Sequence, residues 1–119
     1  MKKLLAVVLL VATFSSAAQA APRAIGSGEN LRLDPGSLPP ALRANYQVFR
    51  VKCVKCHSQE RIMRAVQTGI APISGQPFDA GSVKAYGAKM LRKPESDMSQ
   101  SDVKATSDLL EYLIAKMER

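Results

Sequence analysis

Two cysteines and one histidine are the only thiol and imidazole groups of this 119-residue chain, and all three fall within Cys53-Val54-Lys55-Cys56-His57. The order is Cys-x-x-Cys-His, the pattern by which a c-type haem is attached covalently. On a helix, Cys56 and His57 follow Cys53 by three and four residues, so the three side chains project from roughly one face. Two thiols at that spacing can form thioether bonds to the two vinyl groups of one porphyrin. The neighbouring imidazole then reaches the iron from the proximal side. The spacing predicts one covalent haem c, with Cys53 and Cys56 as attachment points and His57 as an iron ligand.

Other chemistries use the same residue types. A structural zinc site takes four ligands, mostly Cys and His. This chain would have to complete such a site with carboxylates or with a second subunit. A thioredoxin-like dithiol expects a βαβ context behind a hydrophobic strand. The segment before Cys53, from Ala41 to Arg50, reads as helix instead. A histidine that merely filled a surface or core position would not explain why the only one directly follows the second cysteine.

The N-terminus bears on the same question. Met1-Lys2-Lys3 is followed by an apolar run from Leu4 to Phe14 and then by Ala18-Gln19-Ala20. A basic start, an apolar stretch and an Ala-x-Ala exit predict a secretory signal peptide over residues 1–20. The run is short for a membrane span. An uncleaved N-terminal anchor is the alternative reading. No cysteine lies near Ala20 to take a lipid. Covalent haem attachment in bacteria follows export, so the two signals point to one compartment, the periplasm.

Cleavage after Ala20 would remove 20 of 119 residues and leave 99. The formal charge of +7 would fall by the two lysines to +5, and haem propionates would lower it further. Such a surplus favours a redox partner with an acidic docking surface and electrostatic steering. Lys52, Lys55, Lys89, Arg92 and Lys93 are the candidate steering cations. No Lys/Arg run is interleaved with aromatics as in a nucleic-acid surface.

Residues 21–38 hold Gly26, Ser27, Gly28, Pro35, Gly36 and Ser37 without periodicity. They are expected to form a flexible N-terminal segment, a tether or irregular wrap, with a turn at Asp34-Pro35-Gly36-Ser37. One domain is expected over residues 39–119. Pro39-Pro40 opens its first helix, and Leu42, Tyr46, Phe49 and Cys53 form one apolar stripe along it. Residues 58–81 are punctuated by Gly69, Pro72, Gly75, Pro77 and Gly81. They are expected to be loop apart from a short helical turn around Glu60 to Val66. A haem would supply core that a chain of this length and few aromatics otherwise lacks.

Ser82 to Leu91 predicts a short helix with Val83, Tyr86 and Met90 on one face, ended by Lys93-Pro94. Ser99 and Asp102 form a capping box for the last helix, with Met98 and Val103 as a staple. Val103, Leu109, Leu110, Leu113, Ile114 and Met117 are its buried stripe, with Tyr112 on the flank. No strand pattern is visible. The expected fold class is all-α: about three main helices with loops wrapped around one haem.

From about residue 38 to 119 the chain resembles the small monohaem cytochromes c of the class I type. Phe49, four residues before Cys53, stands where that family often has an aromatic in its N-terminal helix. Ser99 to Met117, with Leu109, Tyr112 and Leu113, is similar to its C-terminal helix, and the resemblance implies that these two helices cross near the haem edge. Tyr86-Gly87-Ala88-Lys89-Met90 is similar to members whose ligand Met ends a short helix. The chain departs from the family where Asn45 and Tyr46 replace a frequent glycine. It departs again where Met90 is followed by Leu91-Arg92-Lys93-Pro94 rather than directly by proline.

With one histidine, two histidine ligands within one chain are excluded, and the usual remaining partner is a Met thioether. Met63 follows His57 too closely and Met117 sits in the last turn of the final helix. Met90 and Met98 remain. Met98 has a competing role as a staple, so Met90 is expected as the sixth ligand, with Met98, or a Lys, Asn or open position, as alternatives. A haem with His and Met ligands has no open position, and no general base or paired carboxylate accompanies it. The resulting expectation is an electron carrier, soluble or as the cytochrome subunit of an oxidoreductase, rather than an enzyme in its own right. The alternative is a haem-based ligand binder or sensor with a labile or open sixth site.

Overall fold

Four α-helices carry just over half of the described residues in the computed structural model, which describes residues 12–13 and 20–117. They are α1 (Pro40–Lys52), α2 (Gln59–Thr68), α3 (Ala80–Arg92) and α4 (Gln100–Lys116). The segment expected to be a signal peptide lies almost wholly outside the described residues. No helix among the described residues is long and apolar enough to cross a membrane.

Local chemistry explains where the helices begin. α1 starts at Pro40, whose missing N–H is one a first turn leaves unbonded anyway. Ser58 caps α2 by accepting from the Arg61 N–H at 3.2 Å. Asp79 caps α3 by accepting from Ser82 N–H at 2.8 Å. At α4 the expected capping box is complete: Ser99 accepts from Asp102 N–H, and the Asp102 carboxylate accepts from Ser99 N–H at 3.0 Å.

Three expectations are corrected. The turn expected around Glu60 to Val66 is a full ten-residue helix, so the fold has four main helices rather than three. The first breaker, Gly69, stands beyond its end, and Met63, Ala65 and Val66 give it a buried face. Strands are present: β1 (Ala24–Ile25) pairs antiparallel with β2 (Arg32–Leu33). Two residues are too few to show alternation in a sequence. Their connection requires glycine, because Gly26 has φ +80° and a Cβ there would lie 2.3 Å from the Asn30 carbonyl oxygen.

The third corrects only the flexible tether expected over residues 21–38; its alternative, an irregular wrap, is built into the fold. Leu33 and Leu38 are fully buried. The Leu33 N–H donates to Gln59 Oε1 at 2.8 Å, which Tyr46 Oη also approaches at 3.2 Å. Gln59, the first residue of α2, thereby ties strand and α1 to the segment just after His57.

The core is one apolar cluster. α1 packs on α4, and the buried Tyr46, Phe49, Leu109 and Leu113 belong to that cluster with Leu33, Leu38, Met63 and Val66. Each fully buried side chain of this size stabilises the fold by about 1.5–3 kcal/mol through removal from water. α3 packs on α4 as well. Gly87 makes that approach close, since a Cβ there would lie 2.8 Å from Val103 Cγ1 and 3.3 Å from Ser107 Oγ.

Candidate functional site

The Cys53–His57 segment continues the path of α1. Cys53 keeps helical backbone angles and its N–H donates to the Phe49 carbonyl at 3.0 Å. The His57 N–H then donates to the Cys53 carbonyl, also at 3.0 Å. This turn puts Cys53 and His57 on a cleft of about 330 Å³, within the range of about 300–1,000 Å³ typical of ligand sites. The stripe of Leu42, Tyr46, Phe49 and Cys53 packs on or within the core as expected.

The opposite contributors come from α3 and α4. Val83, Tyr86, Gly87 and Met90 line the cleft from α3, and Thr106, Ser107 and Leu110 from α4. The face shared by Val83, Tyr86 and Met90 is therefore the one turned to the cleft. Ile62 and Ala65 of α2 and the uncharged loop from Ala71 to Phe78 complete it. That loop is held by the Ile70–Pro77 bridge and by Phe78 N–H donating to the Gly69 carbonyl at 2.8 Å. The walls are mostly apolar.

The methionines separate cleanly. Met90 lines the cleft of Cys53 and His57. Met98 lines a different depression, with Lys52, Leu91, Lys93, Pro94, Asp97, Ser99 and Asp102. Met63 and Met117 are buried in the core cluster. Cys56 is exposed and is not among the residues lining the cleft.

Both thiols are free. Burial pushes the Cys53 thiol up to about 11, while a hydrogen bond with Thr106 opposes the shift. No group of three or more His, Cys, Asp or Glu among the described residues comes together to hold a metal ion. A haem iron needs only axial donors from the protein, because the porphyrin supplies the others.

Charge supplies a further match. Arg61, Lys89 and Lys93 line the cleft and no carboxylate does. None of the three forms an ion pair among the described residues. Apolar walls with unpaired cations suit a flat apolar body carrying acidic groups, which is what a haem with its propionates is. The residues present fit that group.

No protein-family model, curated protein or solved structure matches this chain. Sequence reasoning missed Arg61, Phe78, Thr106, Ser107 and Gly87 as cleft residues. Only Gly87 left a legible signal, a glycine inside a helical pattern. The others reach the cleft through tertiary packing.

Proposed function

We propose that the chain is an exported monohaem c-type cytochrome. On this reading its helices enclose one covalent haem c, and the protein carries single electrons between redox partners in the periplasm. It would serve as a soluble carrier or as the cytochrome subunit of an oxidoreductase. The observation that carries the reading is the convergence of Cys53, His57 and Met90 on one apolar cleft. The first two come from the attachment pentapeptide and the third from a separate helix that sequence reasoning had singled out.

In this reading Cys53 and Cys56 attach the porphyrin, His57 is the proximal ligand and Met90 the distal one. When bound, the haem iron supplies the one-electron couple. The chain's own residues do the rest. Phe78, Val83, Tyr86 and Leu110 exclude water from the cleft. Arg61, Lys89 and Lys93 offset the propionate charge. The Met90 thioether, a soft donor, raises the potential relative to a second nitrogen ligand. The packing of α1 on α4 is in keeping with the class I cytochrome c resemblance, which implies contact between the first and last helices.

The test is direct. Purified protein, expressed with export and haem attachment, is denatured and extracted with acidified ketone. Colour remaining with the polypeptide is the expected result. Haem passing into the organic phase, or none at all, overturns the proposal. A red-end absorption band of Met-ligated ferric haem is expected in the native protein. Its absence, together with carbon monoxide binding to the untreated ferrous protein, would favour the ligand-binding alternative.

A further inference from the structure

The connector from α3 to α4 is fastened at two points, and both bear on residues that the haem reading requires. The last carbonyls of a helix have no partner within it. At the end of α3 the Met90 carbonyl accepts from the Lys93 N–H at 3.1 Å, and a side chain from the connector adds a second donor. Ser96 is buried, and its Oγ lies 2.7 Å from the Met90 carbonyl oxygen and 2.8 Å from that of Lys93. The hydroxyl donates its proton to these carbonyls, so Met90 is gripped by its own backbone.

The second fastening comes from the attachment side. Lys52 immediately precedes Cys53. Its Nζ donates to the Asp97 carbonyl at 2.7 Å and lies 3.3 Å from Asp97 Oδ2 and 3.7 Å from Asp102 Oδ2. The Lys52 side chain is only 24% exposed although it carries a charge. Asp97 takes φ +53°, a left-handed conformation that Asp adopts more readily than most residues other than glycine. Ser96 and Asp97 are consecutive, so one short turn is held both to Met90 and to the residue beside the attachment cysteine.

We propose that Ser96 and Lys52 are positioning residues for Met90. Together they form a two-point latch that holds Met90 in the wall it shares with Cys53 and His57. The proposal rests on the reading of Met90 as the distal iron ligand. Neither Ser96 nor Lys52 lines the cleft; both act through the connector. A competing ligand can enter only when Met90 leaves, so its apparent affinity reports how firmly Met90 is held.

The experiment is imidazole titration of the ferric, haem-loaded full chain, with the Met–iron band recorded alongside. Ser96→Ala and Lys52→Gln are each expected to raise imidazole affinity about three- to tenfold, the range that one net hydrogen bond supports, and to weaken the band. Leu38→Ala, a core truncation away from the cleft, is expected to lower thermal stability without changing imidazole affinity. Wild-type affinity in both latch variants overturns the proposal. An equal gain in Leu38→Ala overturns it too, because general loosening would then suffice. Should Ser96→Ala fail to fold, Lys52→Gln, whose change lies outside the core, decides alone. Met90→Ala identifies the other failure: if it binds imidazole as the wild type does, Met90 is not the ligand and the latch falls with that reading.

Discussion

Gly87→Ala sets two effects of known size against each other. Replacing glycine inside a helix favours the helix by about 1 kcal/mol, because alanine loses less backbone entropy. The new methyl would lie 2.8 Å from Val103 Cγ1, whereas ordinary contact begins at 3.4 Å, so the Val103 side chain or the helices themselves must shift to relieve it. Such overpacking costs typically about 1–3 kcal/mol. The net expectation is a loss of about 1 kcal/mol, which lowers Tm by roughly 4–8 °C in a domain of this size. Met90 lies three residues further along the same cleft-lining face, so the displacement should also weaken the Met–iron band. Thermal denaturation followed by circular dichroism, with the visible spectrum, measures both. The partner change Val103→Ala removes the clashing methyl. The double variant should therefore show a favourable coupling of about 0.5–3 kcal/mol. A rise in Tm for Gly87→Ala, with additive effects in the double variant, would refute the close crossing of α3 on α4.

Met90→Ala should leave haem attached, abolish the Met–iron band and lower the reduction potential, while Met98→Ala keeps the band; the reverse pattern would exchange their roles. Leu33→Ala should cost about 2–5 kcal/mol in denaturant unfolding, the range for a buried leucine, whereas a free tether would show no change. The Asp102 carboxyl is held below the usual carboxylate range, chiefly by the Ser99 backbone N–H, with the Ser99 hydroxyl and the Lys52 charge contributing. Its folded value is thus depressed, so its stabilisation is complete above the unfolded value of about 3.9 and is lost as pH falls through the folded one. The stability advantage of the wild type over Asp102→Asn should accordingly shrink on acidification, and an advantage that ignores pH would contradict this account. Lys52, expected as a steering cation, is instead engaged with Asp97 and Asp102, so electron-transfer rates with an acidic partner should fall as ionic strength rises if Lys55, Lys89, Arg92 and Lys93 steer the encounter. Rates indifferent to salt would mark these as an ordinary solvated surface.

Much of the candidate site was legible without coordinates because its information is local. Cys53, Cys56 and His57 lie within five residues, so the haem chemistry proposed for them could be read from spacing alone. The Ser99–Asp102 capping box and the stripes of α1, α3 and α4 are likewise set by neighbours three and four apart. The N-terminal segment misled for the opposite reason. Leu33 and Leu38 sit among glycines and prolines, and what buries them includes a hydrogen bond to Gln59, 26 residues away from Leu33. The same limit hid α2, whose buried face needs the rest of the core to reward it.

The choice between Met90 and Met98 shows where the boundary falls. Both are unbranched thioethers in the same stretch of chain, and spacing could only weigh a staple against a vacant role. Tertiary structure separates them because α3 seats on α4 at Gly87, which turns the face of Val83, Tyr86 and Met90 toward Cys53 and His57. The connector meanwhile carries Met98 to a different depression. Sequence by itself determined which residues are candidates to attach and ligate a haem, since covalent spacing and helical periodicity are short-range. Which of them meet around one cleft was decided only by helix packing, through contacts between residues far apart in the chain.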